Sequence, residues 1–338
     1  MEKPSLDSIK AGAIRYNTDS SQMEIYDGNQ WTGILSTSPE LQTGGTRGVF
    51  IGGQSPYAID FINVSSLRDS ATFGTSLSNA SYVAAASSRT RAIGGGDAPS
   101  NTNTIQFITF SSTGDGQDFG DMTTTAHARS AVSNGTRGII ACGNVGSSDG
   151  NGTNIIDYVT IAQLGNAVDF GDAVSNKRDR ASCASPTRGV LAAGYNGDPV
   201  SGSQTNAIEY ITMSTLGNGS DFGDLTEARM GGGGASNAVR GIFAGGHPAK
   251  DVMDSIQIAT LGNAVDFGDL IRGQFRGATA SSPTRYVYFG GNNSPYREMQ
   301  YVQFSTRGNA IQFGDYSPSN QRYDINGGGC SNGHGGLG

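Results

Sequence analysis

The sequence predicts an all-β protein: a six-bladed β-propeller of four-stranded blades, preceded by a short N-terminal β-hairpin. Three observations predict it. The nonapeptide LGNAVDFGD stands at 164–172 and again at 261–269, with LGNGSDFGD between them at 216–224. Anchored on its Phe, the unit recurs six times, at Phe73, Phe119, Phe170, Phe222, Phe267 and Phe313, with spacings of 46, 51, 52, 45 and 46 residues. Each unit holds four short runs of strand character and no helical window with sensible caps, and four strands at this period make a propeller blade.

The first element is the extension, residues 1–38, which lies outside the repeat. GAIRYNTDSSQMEIYDGNQWTGI (12–34) reads as two strands about a polar turn, with Ile14 and Tyr16 alternating in one and Met23 and Ile25 in the other. Trp31, the lone tryptophan, follows an Asp-Gly turn at 27–28. A lone hairpin is marginal in water. The segment is therefore expected to pack on the propeller, on copies of itself or on a partner.

Next come the repeats, over 39–338. Twelve residues before each anchor stands an aromatic (Phe61, Phe107, Tyr158, Tyr210, Tyr301), replaced by Ser255 in the fifth copy. Eighteen residues after an anchor comes an Arg: Arg91, Arg137, Arg188, Arg240 and Arg285, with Arg47 opening the first copy. Each Arg leads an apolar run that ends in small residues, such as RGIFAGG. NIIDYVTIA (154–162) and NAIEYITMS (206–214) alternate with period two, as half-buried strands do. Two intervals are constant and one varies, so the variable one is a surface loop between packed elements. The tail after Phe313 has first-strand character and could close the ring by joining the first blade; residues 39–46 compete for that place.

Composition bounds the function. The net charge of −7 argues against nucleic acid, which needs a basic face. No apolar run approaches a membrane span, so no membrane insertion is expected. The start, MEKPSLDSIK, lacks the apolar stretch of a cleaved signal. Cys142, Cys183 and Cys330 are odd in number with no CxxC, so free, buried thiols are expected. Arg outnumbers Lys 18 to 4, favouring fixed bidentate bonds.

Candidate chemistry is sparse. The pairs Asp118/Asp121, Asp169/Asp172, Asp221/Asp224 and Asp266/Asp269 could share a hard cation, but capping a turn or pairing with Arg explains them at lower cost. Asp149-Gly-Asn-Gly offers a second cation reading and needs none as an Asx turn. The repeated Arg residues could form an anion ring; their presence in every copy favours a scaffold role. His127, His247 and His334 lack metal spacing. GHGGLG (333–338) fits a dinucleotide pattern but opens no helix. No nucleophile or acid–base pair stands out, so no enzyme, no cofactor and no metal are expected.

The double glycine followed by a spaced aromatic resembles the kelch repeat over 39–338, with the Phe of DFGD where kelch blades carry Trp. Gly12, Ile14, Arg15, Tyr16, Asn17 and Thr18, then Glu24, Tyr26, Asp27, Gly28 and Trp31, resemble short β-elements of tail-fibre and other virion proteins of tailed bacteriophages. The repeats also look like repeat proteins of phages of marine cyanobacteria. The resemblance implies a virion protein: a tail-fibre or receptor-binding element that contacts the host surface, or a decoration of capsid or tail held through residues 1–38 by other virion proteins. A glycan depolymerase ranks third.

Strands running up and down place the second-to-third-strand loops on one face with the connections between blades. The variable interval there is 54–58, 96–104, 144–154, 195–206, 247–252 and 292–298. Its tips carry Tyr57, Asp97, Asn101, Asp149, Tyr195, Asn196, Asp198, His247, Tyr296 and Arg297, expected to bind a host surface glycan or protein. Plain solvent loops are the alternative.

Overall fold

The computed structural model describes residues 9–17, 22–33, 45–52, 58–77, 82–96, 102–146, 152–196, 203–292, 297–316 and 328–333. The chain divides into two compact units, Met1–Gln42 and Thr43–Gly338. Among the described residues there is no helix.

The smaller unit is a three-stranded antiparallel sheet of β1 (Ile14–Asn17), β2 (Gln22–Tyr26) and β3 (Trp31–Gly33), in that order. The two expected strands are joined by a third, which carries Trp31. Asp27 builds the turn: its Oδ1 accepts the Asn29 and Gln30 amides at 2.8 Å each. These bonds hold the Asp27 carboxyl below its ordinary range. One face joins Arg15 to Glu24 at 2.7 Å and lays the Arg15 guanidinium over Trp31, itself packed on Tyr26. The other pairs Ile14 with Ile25 and Tyr16 with Met23 across the strands, and all four are exposed.

The larger unit is a propeller-like set of four-stranded antiparallel sheets. Sheet I orders β27 (Gly328–Ser331), β4 (Arg47–Ile51), β5 (Ala58–Asn63) and β6 (Ala71–Thr75). Sheet II holds β7 (Ala84–Ser87), β8 (Arg91–Gly95), β9 (Thr104–Thr109) and β10 (Gln117–Asp121). Sheet III holds β11 (Ser130–Ser133), β12 (Arg137–Ala141), β13 (Thr153–Thr160) and β14 (Val168–Lys177). Sheet IV holds β15 (Ala181–Ala184), β16 (Arg188–Ala192), β17 (Thr205–Thr212) and β18 (Ser220–Arg229). Sheet V holds β19 (Gly233–Ser236), β20 (Arg240–Ala244), β21 (Val252–Gln257) and β22 (Val265–Asp269). Sheet VI holds β23 (Ala278–Ser281), β24 (Arg285–Phe289), β25 (Glu298–Gln303) and β26 (Ile311–Asp315). The C-terminal run supplies the partner of β4, with Cys330 opposite Val49. The innermost strands touch in the order β27, β7, β11, β15, β19, β23, and β23 touches β27.

The six anchor Phe side chains are buried among residues of the following sheet; Phe73, for example, packs with Ala92, Ile108 and Phe110. Each anchor is the extra residue of a β-bulge, unpaired between an Asp (Thr or Gln in the first and last copies) and its Gly. The bulge turns an outer-strand ring into the seam between sheets.

The following Gly is needed for a different reason. A Cβ on Gly171 would lie 2.6 Å from the Gly217 carbonyl oxygen, in the Leu-Gly-Asn turn of the next sheet. That turn docks there: Gly217 N–H donates to the Phe170 carbonyl (2.9 Å), and Asn218 Oδ1 accepts the Asp172 amide (3.0 Å). The same side-chain bond recurs from Asp121 to Asn166, Asp224 to Asn263, and Asp269 to Asn309. The nonapeptide is thus both socket and plug, which is why it repeats. Of the two structural roles expected for these Asp pairs, turn capping or pairing with Arg, the second is not found: among the described residues none of the eight joins an ion pair, and it is the backbone amide of the second Asp that is held.

The Arg series is scaffold. Arg91 Nη1 donates to the Ile161 and Ala162 carbonyls (3.2 and 3.0 Å), Arg137 to Met213 (2.8 Å), Arg188 to Ile258 (2.9 Å) and Arg285 to Val64 (3.0 Å). Arg47 and Arg240 bond the Phe110 and Phe304 carbonyls in the same way. Each reaches the sheet after its own, and sheet VI reaches sheet I. Five of these guanidiniums also cover the aromatic of the third strand, as Arg137 covers Tyr158 at 4.6 Å.

One repeat feature runs against the alternation. The residue before the aromatic (before Ser255 in sheet V), expected on a solvated face, is a buried polar group in all six sheets: Asp60, Gln106, Asp157, Glu209, Asp254 and Gln300. Each holds the segment at the end of the preceding sheet's outer strand. Asp157 accepts Thr123 Oγ1 (2.7 Å), Asp254 accepts Thr226 Oγ1 (2.8 Å), and Asp60 accepts the Tyr316 hydroxyl. Both strand faces are covered by neighbouring sheets, so a period-two pattern here separates two kinds of packing rather than core from water.

Candidate binding face

At one end of the sheets, second-to-third-strand loops meet the connections between sheets. His127 bridges Asn144, Arg178 bridges Tyr195, and Met230 bridges His247. Two positions before five of the innermost strands the chain turns left-handed: Tyr82 (φ 60°), Ala128 (53°), Asp179 (52°), Gly231 (65°) and Arg276 (60°). Their amides and carbonyls link in series: Ala128 to Tyr82 (3.2 Å), Asp179 to Ala128 (3.0 Å), Gly231 to Asp179 (2.7 Å), Arg276 to Gly231 (2.6 Å). A left-handed non-glycine residue costs about 1–2 kcal/mol. Four of them in one ring form where neighbours over-determine the backbone, a setting common at ligand sites.

Inside the ring lies a cavity of about 110 Å³, lined by all six innermost strands and by Tyr82, Arg129, Asp179, Arg180 and Arg276. The Arg276 guanidinium lies over the Tyr82 ring at 4.7 Å, donates to its hydroxyl (2.9 Å) and stands 3.6 Å from Asp179. Sheets II, IV and VI thus meet through three side chains. Arg178 pairs with Asp179 and covers Tyr195 at 4.8 Å. Tyr82 meets His127 edge-on at 5.6 Å, and Phe275 meets His247 at 5.3 Å. His247 Nδ1 lies 3.1 Å from Gln204 Nε2.

Behind the ring sit buried ion pairs. Glu209 takes Lys177 (2.7 Å), Arg180 (3.0 Å) and the Val174 amide (3.1 Å). Burial raises its carboxyl, but Arg180 and Lys177 outweigh this and hold it below the ordinary range. Burial and Arg180 push Lys177 down. Arg229 pairs with Asp254 (2.8 Å). The Arg129 Nη2 donates to the Thr124 carbonyl (2.8 Å), while its Nε and Nη1 and the Ser130 Oγ are buried without partners. The three cysteines are free and buried; burial raises the Cys330 thiol to about 12.

Of the sequence-predicted site residues, Tyr195 and His247 join this face. Asn196 is exposed and fixed in its loop by Ser203, whose amide its Oδ1 accepts at 2.8 Å. The Arg297 carbonyl accepts the Tyr316 amide (2.9 Å). Tyr57, Asp97, Asn101, Asp149, Asp198 and Tyr296 lie outside the described residues, as do Asp149–Asn151 of the second cation reading and His334. Among the described residues no group of three His, Cys, Asp or Glu is placed to hold a metal. Sequence reasoning missed Tyr82, Arg178, Asp179 and Arg276. The one signal was the charge run NKRDR (176–180), dense in a chain with 15% charged residues.

No protein-family profile matches the chain, and no curated protein matches it.

Proposed function

We propose that Thr43–Gly338 is a closed, six-bladed, kelch-like β-propeller, and that the chain is a virion protein of a tailed bacteriophage. It serves as a tail-fibre or receptor-binding element whose loop face contacts the host cell surface, and as a binding module rather than an enzyme. Closure is supported by three bonds that run from sheet VI to sheet I: Arg285 to Val64, Asp60 to Tyr316, and Asp315 to Asp69. The phage reading rests on the likeness of residues 12–31 and of the repeats. The observation that carries the binding reading is the difference between the two ends. At one end the same turns recur from copy to copy and dock on the preceding sheet. At the other, the connections between sheets ring a cavity with Tyr82, Asp179 and Arg276, and they pair with Tyr195 and His247 from loops of unequal length.

Replacing 144–154 and 195–206 with short Gly-Ser turns is expected to leave the fold intact, by circular dichroism and melting, and to abolish adsorption of virions to host cells. Unchanged adsorption by a folded variant moves the contact elsewhere. The exposed apolar face of Ile14, Tyr16, Met23 and Ile25 favours a second reading, decoration of capsid or tail through residues 1–38. A chain lacking 1–38 that still incorporates into virions excludes that anchor.

A further inference from the structure

We infer that the axial cavity ringed by Tyr82, Asp179 and Arg276 binds one acidic sugar residue, a pyranose that carries a carboxylate. This rests on the reading of that end as the binding face, and it names the ligand class the face would take.

Three observations carry it. First, Arg276 is preset but underused. Tyr82 covers its guanidinium and takes one Nη1 donor, and Asp179 stands 3.6 Å from Nη2. Arg276 lines the cavity, and its planar fork of five donors, of which Tyr82 takes one, matches a carboxylate in two parallel bonds. The ring residues hold the side chain before any ligand arrives, so little ordering cost remains. Second, Ser130 lines the same cavity, and its Oγ is buried without a partner. A buried hydroxyl without a partner is unfavourable, and turning it toward a ligand hydroxyl would recover the bond. Third, size and charge agree. A water needs roughly 10–15 Å³ by this measure, so about 110 Å³ holds roughly eight waters, the room one sugar ring requires. Three arginines and one aspartate line the cavity of a chain with net charge −7. Glu209 is shared between Lys177 and Arg180, and Asp179 between Arg178 and Arg276. The lining therefore keeps a positive balance that suits an anion.

The test is calorimetric titration of the full chain with D-glucuronate, D-glucose and inorganic sulfate. Glucuronate is expected to bind at least tenfold tighter than glucose or sulfate. Arg276→Met should weaken glucuronate at least tenfold, and Arg276→Lys, which keeps the charge and loses the fork, by several-fold. Ser130→Ala should weaken glucose and glucuronate alike. Melting temperatures within a few degrees of wild type show that the variants fold.

Equal binding of glucose and glucuronate overturns the carboxylate assignment, and equal binding of sulfate overturns the sugar. No binding of any probe by a protein that still adsorbs to host cells overturns the cavity site and leaves the face reading standing. No binding and no adsorption overturns both.

Discussion

Ala184 interrupts a ring of hydroxyls. At the last position of the innermost strands, Ser133 Oγ donates to the Ser87 carbonyl (2.7 Å), Ser87 to Ser331 (2.9 Å), Ser281 to Ser236 (2.9 Å) and Ser236 to Ala184 (2.6 Å), and Ser331 bonds Ser281. Only sheet IV has no hydroxyl to give. Ala184→Ser is expected to stabilise the protein by about 1 kcal/mol, one net buried hydrogen bond. It should raise the urea midpoint with an unchanged slope; an unaltered or lower midpoint means the site cannot take the added oxygen. Glu209 sets a pH dependence. Its folded carboxyl titrates below its unfolded value of about 4.3, so its contribution is complete above that value. That contribution is lost as pH falls through the lower, folded value. Glu209→Gln strands Lys177 and Arg180 and should cost about 3–5 kcal/mol at neutral pH. Its stability should also fall less steeply than wild type below about pH 4.5, followed by urea unfolding across pH.

The element that repeats is a joint. Gly165 and Gly171 both have positive φ, 149° and 142°, but they differ in surroundings. A Cβ on Gly165 meets nothing within 4 Å, whereas one on Gly171 strikes the Gly217 carbonyl at 2.6 Å. Gly165→Ala should cost about 1 kcal/mol, a backbone effect alone. Gly171→Ala should cost about 2–4 kcal/mol, because strain and overpacking of the seam between sheets III and IV add. Equal losses in denaturant unfolding would remove the docking explanation. The identity of this element was legible in the sequence because its two ends must match each other six times. Its partner was not, since a turn that pairs with the preceding sheet leaves no spacing different from one that pairs within its own.

At the scale of the larger unit, sheet I is assembled from both ends of Thr43–Gly338. A chain ending at 327 leaves β4 without its neighbour and β7 and β23 without the strand between them. It is expected to unfold at a markedly lower urea concentration than the full chain, and to recover when a peptide of residues 328–338 is added. A full-length midpoint in the truncated chain would show that sheet I is complete without β27. Pairing β27 with β4 covers a strand edge that would otherwise be open to other chains.

Periodicity alone determined the strand class, the six units, the seam positions of the Phe anchors and the scaffold role of the Arg series. These follow from spacing, because a repeat that packs on its own copy must keep its distances. Tertiary structure alone decided three things. The polar residues Asp157 and Glu209 are buried because the face opposite the core packs on another sheet instead of water. The C-terminal strand, not the segment before Arg47, pairs with β4 in the register Gly328 to Ile51. Finally, Tyr82, Asp179 and Arg276 meet at one cavity although 97 and 194 residues separate them from the first. No local pattern encodes that meeting, since it depends on strands of separate sheets being brought around one cavity.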